Sequence, residues 1–230
     1  MNRLWIFGDS MSSDYGTHLL YPETGDSWDR LLAKDLRLEL SNKSRAGSGN
    51  DLIVRELINN MHLMREGDLV IIGLSNALRY YLEFDNEKDL WYKKRFIGNW
   101  LLWNQKKGLI SNSDNTVNDN HPVLNIIVDF YKNVWLPVEK PLEKRDTKRV
   151  LDLQLALSRR NIKSLSWKWN TKGYPNNLKN PIETVGEKIG KQEAHFSFKG
   201  HKDFYNRLKE QLDNNKIHWD NIYDENLDNR

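Results

Sequence analysis

The chain has 230 residues, 35 Lys and Arg against 32 Asp and Glu, and no cysteine. The length suits one domain with a sizeable insertion, and the near-balanced charge argues against a dedicated polyanion binder. Without cysteine there is no disulfide framework, thiolate metal site, iron–sulfur cluster or cysteine nucleophile. No apolar run reaches the roughly 20 residues of a membrane span. Met1 to Phe7 is too short, and too soon interrupted by Gly8-Asp9-Ser10, for a signal peptide. These features lead us to expect a cytoplasmic protein with no membrane partner, and the Lys- and Asn-rich, Ala-poor usage points to an AT-rich genome such as a viral one.

Taken in chain order, Leu4-Trp5-Ile6-Phe7 reads as a buried strand ending at Gly8. Ser27 to Leu36 carries Trp28, Leu31, Leu32 and Leu36 at helical spacing, with Ser27 in the N-cap position. Leu38-Glu39-Leu40 reads as a second strand. Asn50 is placed to cap the next helix, whose stripe is Ile53, Leu57, Ile58 and Met61. Leu69-Val70-Ile71-Ile72 is apolar throughout and ends at Gly73, the pattern of a parallel strand buried on both faces. Strand–helix–strand–helix–strand predicts an α/β fold.

From about residue 82 the pattern changes. Trp91, Phe96, Trp100 and Trp103 stand at roughly helical spacing, 112–120 is polar and reads as a loop, and Pro122 to Val138 reads as a helix ended by Pro137. Glu143 to Arg160 reads as a basic helix with a Val150, Leu153, Leu157 stripe. Ile162 to Trp167 reads as a strand returning to the sheet, and Tyr174 to Pro181 as a loop. Ser197 to Leu212 reads as the closing helix, with Phe204, Leu208 and Leu212 apolar, before a polar tail from about residue 214. The expectation is one domain over 1–230 with a largely helical insertion at about 82–160.

Two short segments carry chemistry. Gly8-Asp9-Ser10 follows the first strand, where open α/β sheets place ligands. A serine there needs a base to act as a nucleophile, and the tripeptide alone fits an ordinary turn equally. His195, in Glu193-Ala194-His195-Phe196-Ser197, stands just before the last helix, where it could serve as that base with Glu193 orienting it, or simply pack. His201 reads as a packing or capping residue.

Taken together, Ile6-Phe7-Gly8-Asp9-Ser10 near the start and Glu193-x-His195-Phe196-Ser197-x-x-Gly200-His201 near the end resemble the SGNH (GDSL) hydrolase superfamily. The resemblance covers about 90 residues at the two ends of the chain. It implies a three-layer α/β/α sandwich with a mostly parallel, flavodoxin-like sheet, plus the helical, Trp-rich insertion. It also implies a serine esterase that works without metal or cofactor: Ser10 as nucleophile, His195 as base and Glu193 in the place usually held by Asp. Asn42-Lys43-Ser44-Arg45-Ala46-Gly47 has the spacing of the second family block, so the resemblance assigns the Gly47 N–H, with that of Ser10, to the oxyanion hole, with Gly49 as a near competitor. The third block departs from the family: in Gly73-Leu74-Ser75-Asn76, Ser75 occupies the asparagine position and Asn76 falls one residue late, which leaves both as candidates for the last oxyanion donor. Asp9 is expected to hold the turn.

Of the nine tryptophans, Trp91, Trp100, Trp103, Trp135, Trp167 and Trp169 fall in the middle of the chain. Trp167 and Trp169, two apart, would share one face of a strand, and we expect that face to contact substrate, with a shared core face as the alternative. Many relatives of the superfamily deacetylate carbohydrates, so the expected partner is a small-molecule or carbohydrate ester such as an O-acetyl sugar. The basic stretch Lys140 to Lys172 reads as a solvated helix face, and no nucleic-acid partner is expected. A second reading is a binding module that keeps the fold without turnover, motivated by the changes at Ser75, Asn76 and Glu193.

Overall fold

The computed structural model describes residues 2–12, 26–45, 48–75, 80–82, 95–97, 133, 138–168 and 195–213. In chain order the elements are β1 (Arg3–Phe7), α1 (Trp28–Leu36), β2 (Glu39–Asn42), α2 (Asn50–Asn60), β3 (Leu69–Leu74), β4 (Tyr80–Leu82), β5 (Arg95–Ile97), α3 (Glu139–Ser158), β6 (Lys163–Lys168) and α4 (Phe198–Asp213). Four strands form one sheet in the order β2-β1-β3-β6, every pairing parallel. This is the beginning of a flavodoxin-like order.

The layers follow from the period of two along each strand. Leu4 and Ile6 of β1, Leu69 and Ile71 of β3, and Leu165 and Trp167 of β6 all face one side. There they meet Trp28 and Leu32 of α1 and Phe204 and Leu208 of α4. Trp5, Phe7, Val70, Ile72 and Leu74 face the other side, against Ile53 and Leu57 of α2 and Val150 and Leu157 of α3. A run such as Leu69 to Ile72 is apolar at every position because both its faces are covered. Parallel crossovers are right-handed, so a step outward to β2 and steps back to β3 and β6 require helices on opposite faces. The fold is thus the expected three-layer α/β/α sandwich. Among the described residues, no helix is long and apolar enough to cross a membrane.

Several local expectations change. Ser27 holds the extended N-cap conformation, but its hydroxyl donates to Asp29 instead of capping the helix. Asn50 is the first helical residue, with Gly49 in the cap position, because its amide serves a longer-range purpose described below. α3 starts at Glu139, earlier than predicted; Pro141 lies in its first turn, where the missing N–H costs nothing. Phe96 belongs to β5, which pairs antiparallel with β4. Aromatic runs satisfy either period over so short a length, and here the strand preference of aromatics wins. Trp91, Trp100, Trp103, Trp135, the predicted loops at 112–120 and 174–181 and the tail from 214 lie outside the described residues, as does the Pro122 to Val138 helix apart from residues 133 and 138.

One buried carboxylate ties the start of β1 to the turn that launches β3. Asp68 accepts from the Arg3 N–H (2.8 Å), the Trp5 indole Nε1–H (2.9 Å) and the Arg65 N–H (3.0 Å). Asp68→Ala strands all three donors, so we expect a loss of about 2–4 kcal/mol, measured by denaturant unfolding.

Candidate active site

The chain leaves β1 toward β2 on one side and then returns past β1 to β3 on the other. The carboxyl ends of β1 and β3 therefore flank a topological switch point, where open α/β sheets form a crevice. Gly8-Asp9-Ser10 emerges there from β1, and Ser75 emerges there from β3.

The Ser10 turn is held from every side. Asp9 Oδ1 accepts from the Met11 N–H (3.0 Å), and the Ser12 N–H bonds the Asp9 carbonyl (3.0 Å), so Asp9 does hold the turn. Trp28, at the start of α1, donates its indole N–H to the Met11 carbonyl (3.1 Å). Asn42, at the end of β2, donates to the Ser12 carbonyl (2.8 Å) and to Asp29 (2.7 Å). The Arg45 N–H bonds the Gly8 carbonyl (3.1 Å). Ser10 itself is 8% exposed.

The turn is also packed tightly. The buried Ser12 side chain sits against Gly8, just past β1, and Gly73, near the end of β3. A Cβ on Gly8 would overlap Ser12 Oγ and lie 2.5 Å from its Cβ, and one on Gly73 would overlap Ser12 Oγ and lie 2.7 Å from Trp167 Cζ2. Both glycines are required by close approach.

From Ser75 a buried polar chain runs away from the crevice. The Ser75 hydroxyl donates to Asp9 Oδ2 (2.9 Å), and the Ser75 N–H donates to Asn50 Oδ1 (2.8 Å). Asn50 Nδ2 donates to Asp146 Oδ2 on α3 (2.8 Å). Asp146 Oδ1 receives Arg145, which with Arg149 also pairs with Asp51 on α2. Asp9, Ser75, Asn50 and Asp146 are all buried. Burial pushes the Asp146 carboxyl above the ordinary carboxylate range; hydrogen bonds from Asn50 and Arg145 pull the other way, and nearby Asp51 adds to the rise. Desolvation lowers Arg145, but its pairing with Asp146 and Asp51 together outweighs this and raises it. The attraction is therefore real, but for the carboxylate it is outweighed by removal from water.

His195 is partly buried and lies three residues before α4. The next residue, Phe196, is anchored in the core against Phe204 (5.2 Å between ring centroids) and edge-on to His201 (5.4 Å). His201 packs and caps as expected: it is buried, and its Nδ1 accepts the Trp28 N–H (3.3 Å). Since Trp28 also holds the Met11 carbonyl, the start of α4 is docked to the element that supports the Ser10 turn. Ser197 caps α4, its Oγ accepting the Gly200 N–H (3.1 Å).

Of the other predicted residues, Gly47, Asn76, Glu193 and Trp169 lie outside the described residues. Trp167, expected to contact substrate, is instead in the core, packed edge-on against Phe204 (5.0 Å) and over Gly73, because its face of β6 is covered by α4. The one hydroxyl proton of Ser75 is directed at Asp9. Asn42, Asn50 and Asp146 were not singled out from the sequence as site residues. Among the described residues, no cluster of three or more His, Asp or Glu could hold a metal ion.

No protein-family model and no curated protein matches this sequence. Among solved structures, the chain is similar to one described as a lipolytic protein of the G-D-S-L family from Desulfitobacterium hafniense DCB-2, at 13% identity and a TM-score of 0.38, over 91% of this chain and 99% of that one. It is also similar to a carbohydrate esterase whose active site displays divergent catalytic and non-catalytic binding functions, at 12% identity and a TM-score of 0.36, over 94% of this chain and 66% of that one. Both likenesses are distant and of fold only; the architecture rests on strand order and layering.

Two outcomes follow from this geometry. Gly8→Ala should cost about 1–3 kcal/mol in denaturant unfolding, and adding Ser12→Gly, which removes the overlapped atoms, should restore part of the loss. For Asp146, the raised folded value means that ionisation is less favoured in the folded than in the unfolded chain. Its penalty is absent below the unfolded value near 3.8 and complete above the folded one. The stability of Asp146→Asn relative to the parent should therefore improve as pH rises from the unfolded value near 3.8 through the raised folded one, read from paired unfolding curves.

Proposed function

We propose that the protein is a serine hydrolase that cleaves a carboxylic ester through an acyl-enzyme. The observation that carries this reading is the position of Ser10. It sits in a turn at the switch point of a parallel sheet, fixed by Asp9, Trp28 and Asn42, with the helix that follows His195 docked on the same support. Preorganisation of this kind is what a nucleophile requires.

In this mechanism Ser10 Oγ attacks the acyl carbon as His195 takes its proton, with Glu193 orienting the imidazole. The oxyanion is held by the N–H groups of Ser10 and Gly47 and by Asn76. We prefer Asn76 to Ser75 as the third donor because the Ser75 hydroxyl already donates to Asp9. The alcohol leaves with the proton from His195, and water then attacks the acyl-enzyme with His195 again as base. No metal or cofactor takes part. An O-acetylated carbohydrate is the substrate class we favour, and the insertion is where we place its recognition.

The second reading, a binding module without turnover, draws on the same Ser75–Asp9 bond, which removes one candidate oxyanion donor. A fluorophosphonate probe and an acetyl-ester assay separate the two. We expect labelling at Ser10 and a fall in kcat of about a thousandfold or more in Ser10→Ala, since triad members act as a unit. Neither labelling nor Ser10-dependent hydrolysis would favour the binding module.

A further inference from the structure

We infer that Asp146, on α3 and far from Ser10 in sequence, is a positioning residue for the nucleophile turn, acting through Asn50, Ser75 and Asp9. The inference rests on the hydrolase reading above and deepens it.

The argument starts from what each group can donate or accept. When ionised, Asp146 can only accept. It therefore selects one of the two orientations of the Asn50 carboxamide: Nδ2 must face Asp146 (2.8 Å), which leaves Oδ1 to face β3. There Oδ1 receives the Ser75 N–H (2.8 Å), fixing the backbone at the point where the chain leaves β3. With its backbone fixed, Ser75 aims its only hydroxyl proton at Asp9 Oδ2 (2.9 Å). The other oxygen of Asp9 receives the Met11 N–H, the bond that closes the turn around Ser10. Each link determines the polarity of the next. The carboxamide flipped in the opposite sense would place an N–H against an N–H at Ser75.

The far end of the chain is anchored as well. Arg145 reaches Asp146 Oδ1 through both Nε (2.9 Å) and Nη2 (2.8 Å), and Arg145 and Arg149 both pair with Asp51 beside Asn50. The charged cluster clamps α3 onto the start of α2, where Asn50 is the first residue. A helix that carries no motif of the esterase resemblance thus sets the geometry of the turn that does.

The test uses the full chain, a short-chain acetyl ester and a fluorophosphonate probe. Asp146→Leu and Asn50→Ala should each lower kcat and the Ser10 labelling rate by about 10- to 100-fold, with KM changed less than about threefold, because misplacement of a reacting group costs rate before binding. The double variant should lose no more than the larger single loss, since both act through one chain. Asp146→Asn still offers an oxygen to Asn50 Nδ2 and should recover most of the rate. Amide hydrogen exchange at Ser75 should quicken in Asp146→Leu, which gives a readout independent of turnover. Additive losses, rates unchanged in folded variants, or unchanged Ser75 protection would overturn the inference while leaving the hydrolase reading intact. A wild-type protein that is neither labelled at Ser10 nor active overturns the hydrolase reading, and this inference with it.

Discussion

The carboxylate of Asp9 is the point on which the site depends. One oxygen closes the turn after β1 by accepting the Met11 N–H, and the other accepts the Ser75 hydroxyl at the end of β3. The ends of the two central strands are therefore joined by a single buried side chain. Trp28, Asn42 and Arg45 reach the same turn from α1 and from the end of β2, and each donates to one of its backbone carbonyls. Around this arrangement the packing leaves no room for a Cβ at Gly8 or Gly73.

The layers of the sandwich depend on the same region. The order of strand addition reverses at β1, outward to β2 and then back to β3, and right-handed crossovers then place α1 opposite α2 and α3. α4 joins α1 through Trp28, Phe204 and the His201–Trp28 hydrogen bond. The indole of Trp28 thus packs the core on one edge and supports the turn with its N–H, so core packing and site geometry share a residue.

Much of this was legible in the sequence. β1 and β3 show as short apolar runs that stop at Gly8 and Gly73, β6 alternates Leu165 and Trp167 with serines, and α1 and α4 show a clear apolar stripe. Asp9's closure of the Ser10 turn is readable because its partners Met11 and Ser12 lie within a few residues, whereas the supports from Trp28 and Asn42 are not. Asn50 was misread as a cap because residue type and local spacing fit that role, whereas its partner Asp146 lies 96 residues away. The Ser75–Asp9 bond spans 66 residues and is invisible to any local pattern for the same reason. Phe96 was placed on a helical stripe because a few aromatics fit both periods, and only its pairing with β4 decides between them. The period-two spacing of Trp167 and Trp169 favours a substrate face, but Phe204, which covers Trp167, comes from another element and no local pattern shows it.

Asp68 has a further consequence for how the sheet finds its alignment. β3 is buried and apolar throughout, with Leu69, Val70, Ile71 and Ile72 differing little in size or polarity. With hydrophobic layers on both faces, a slip of β3 along β1 would trade one greasy surface for another, so apolar patterning discriminates weakly between alignments. Polar groups supply the discrimination. Asp68 at the leading end of β3 must meet the Arg3 and Trp5 donors, and Ser75 at its trailing end must meet Asp9. A displaced strand would bury both carboxylates away from their donors, so these two aspartates act as alignment marks for a strand whose own side chains carry almost none.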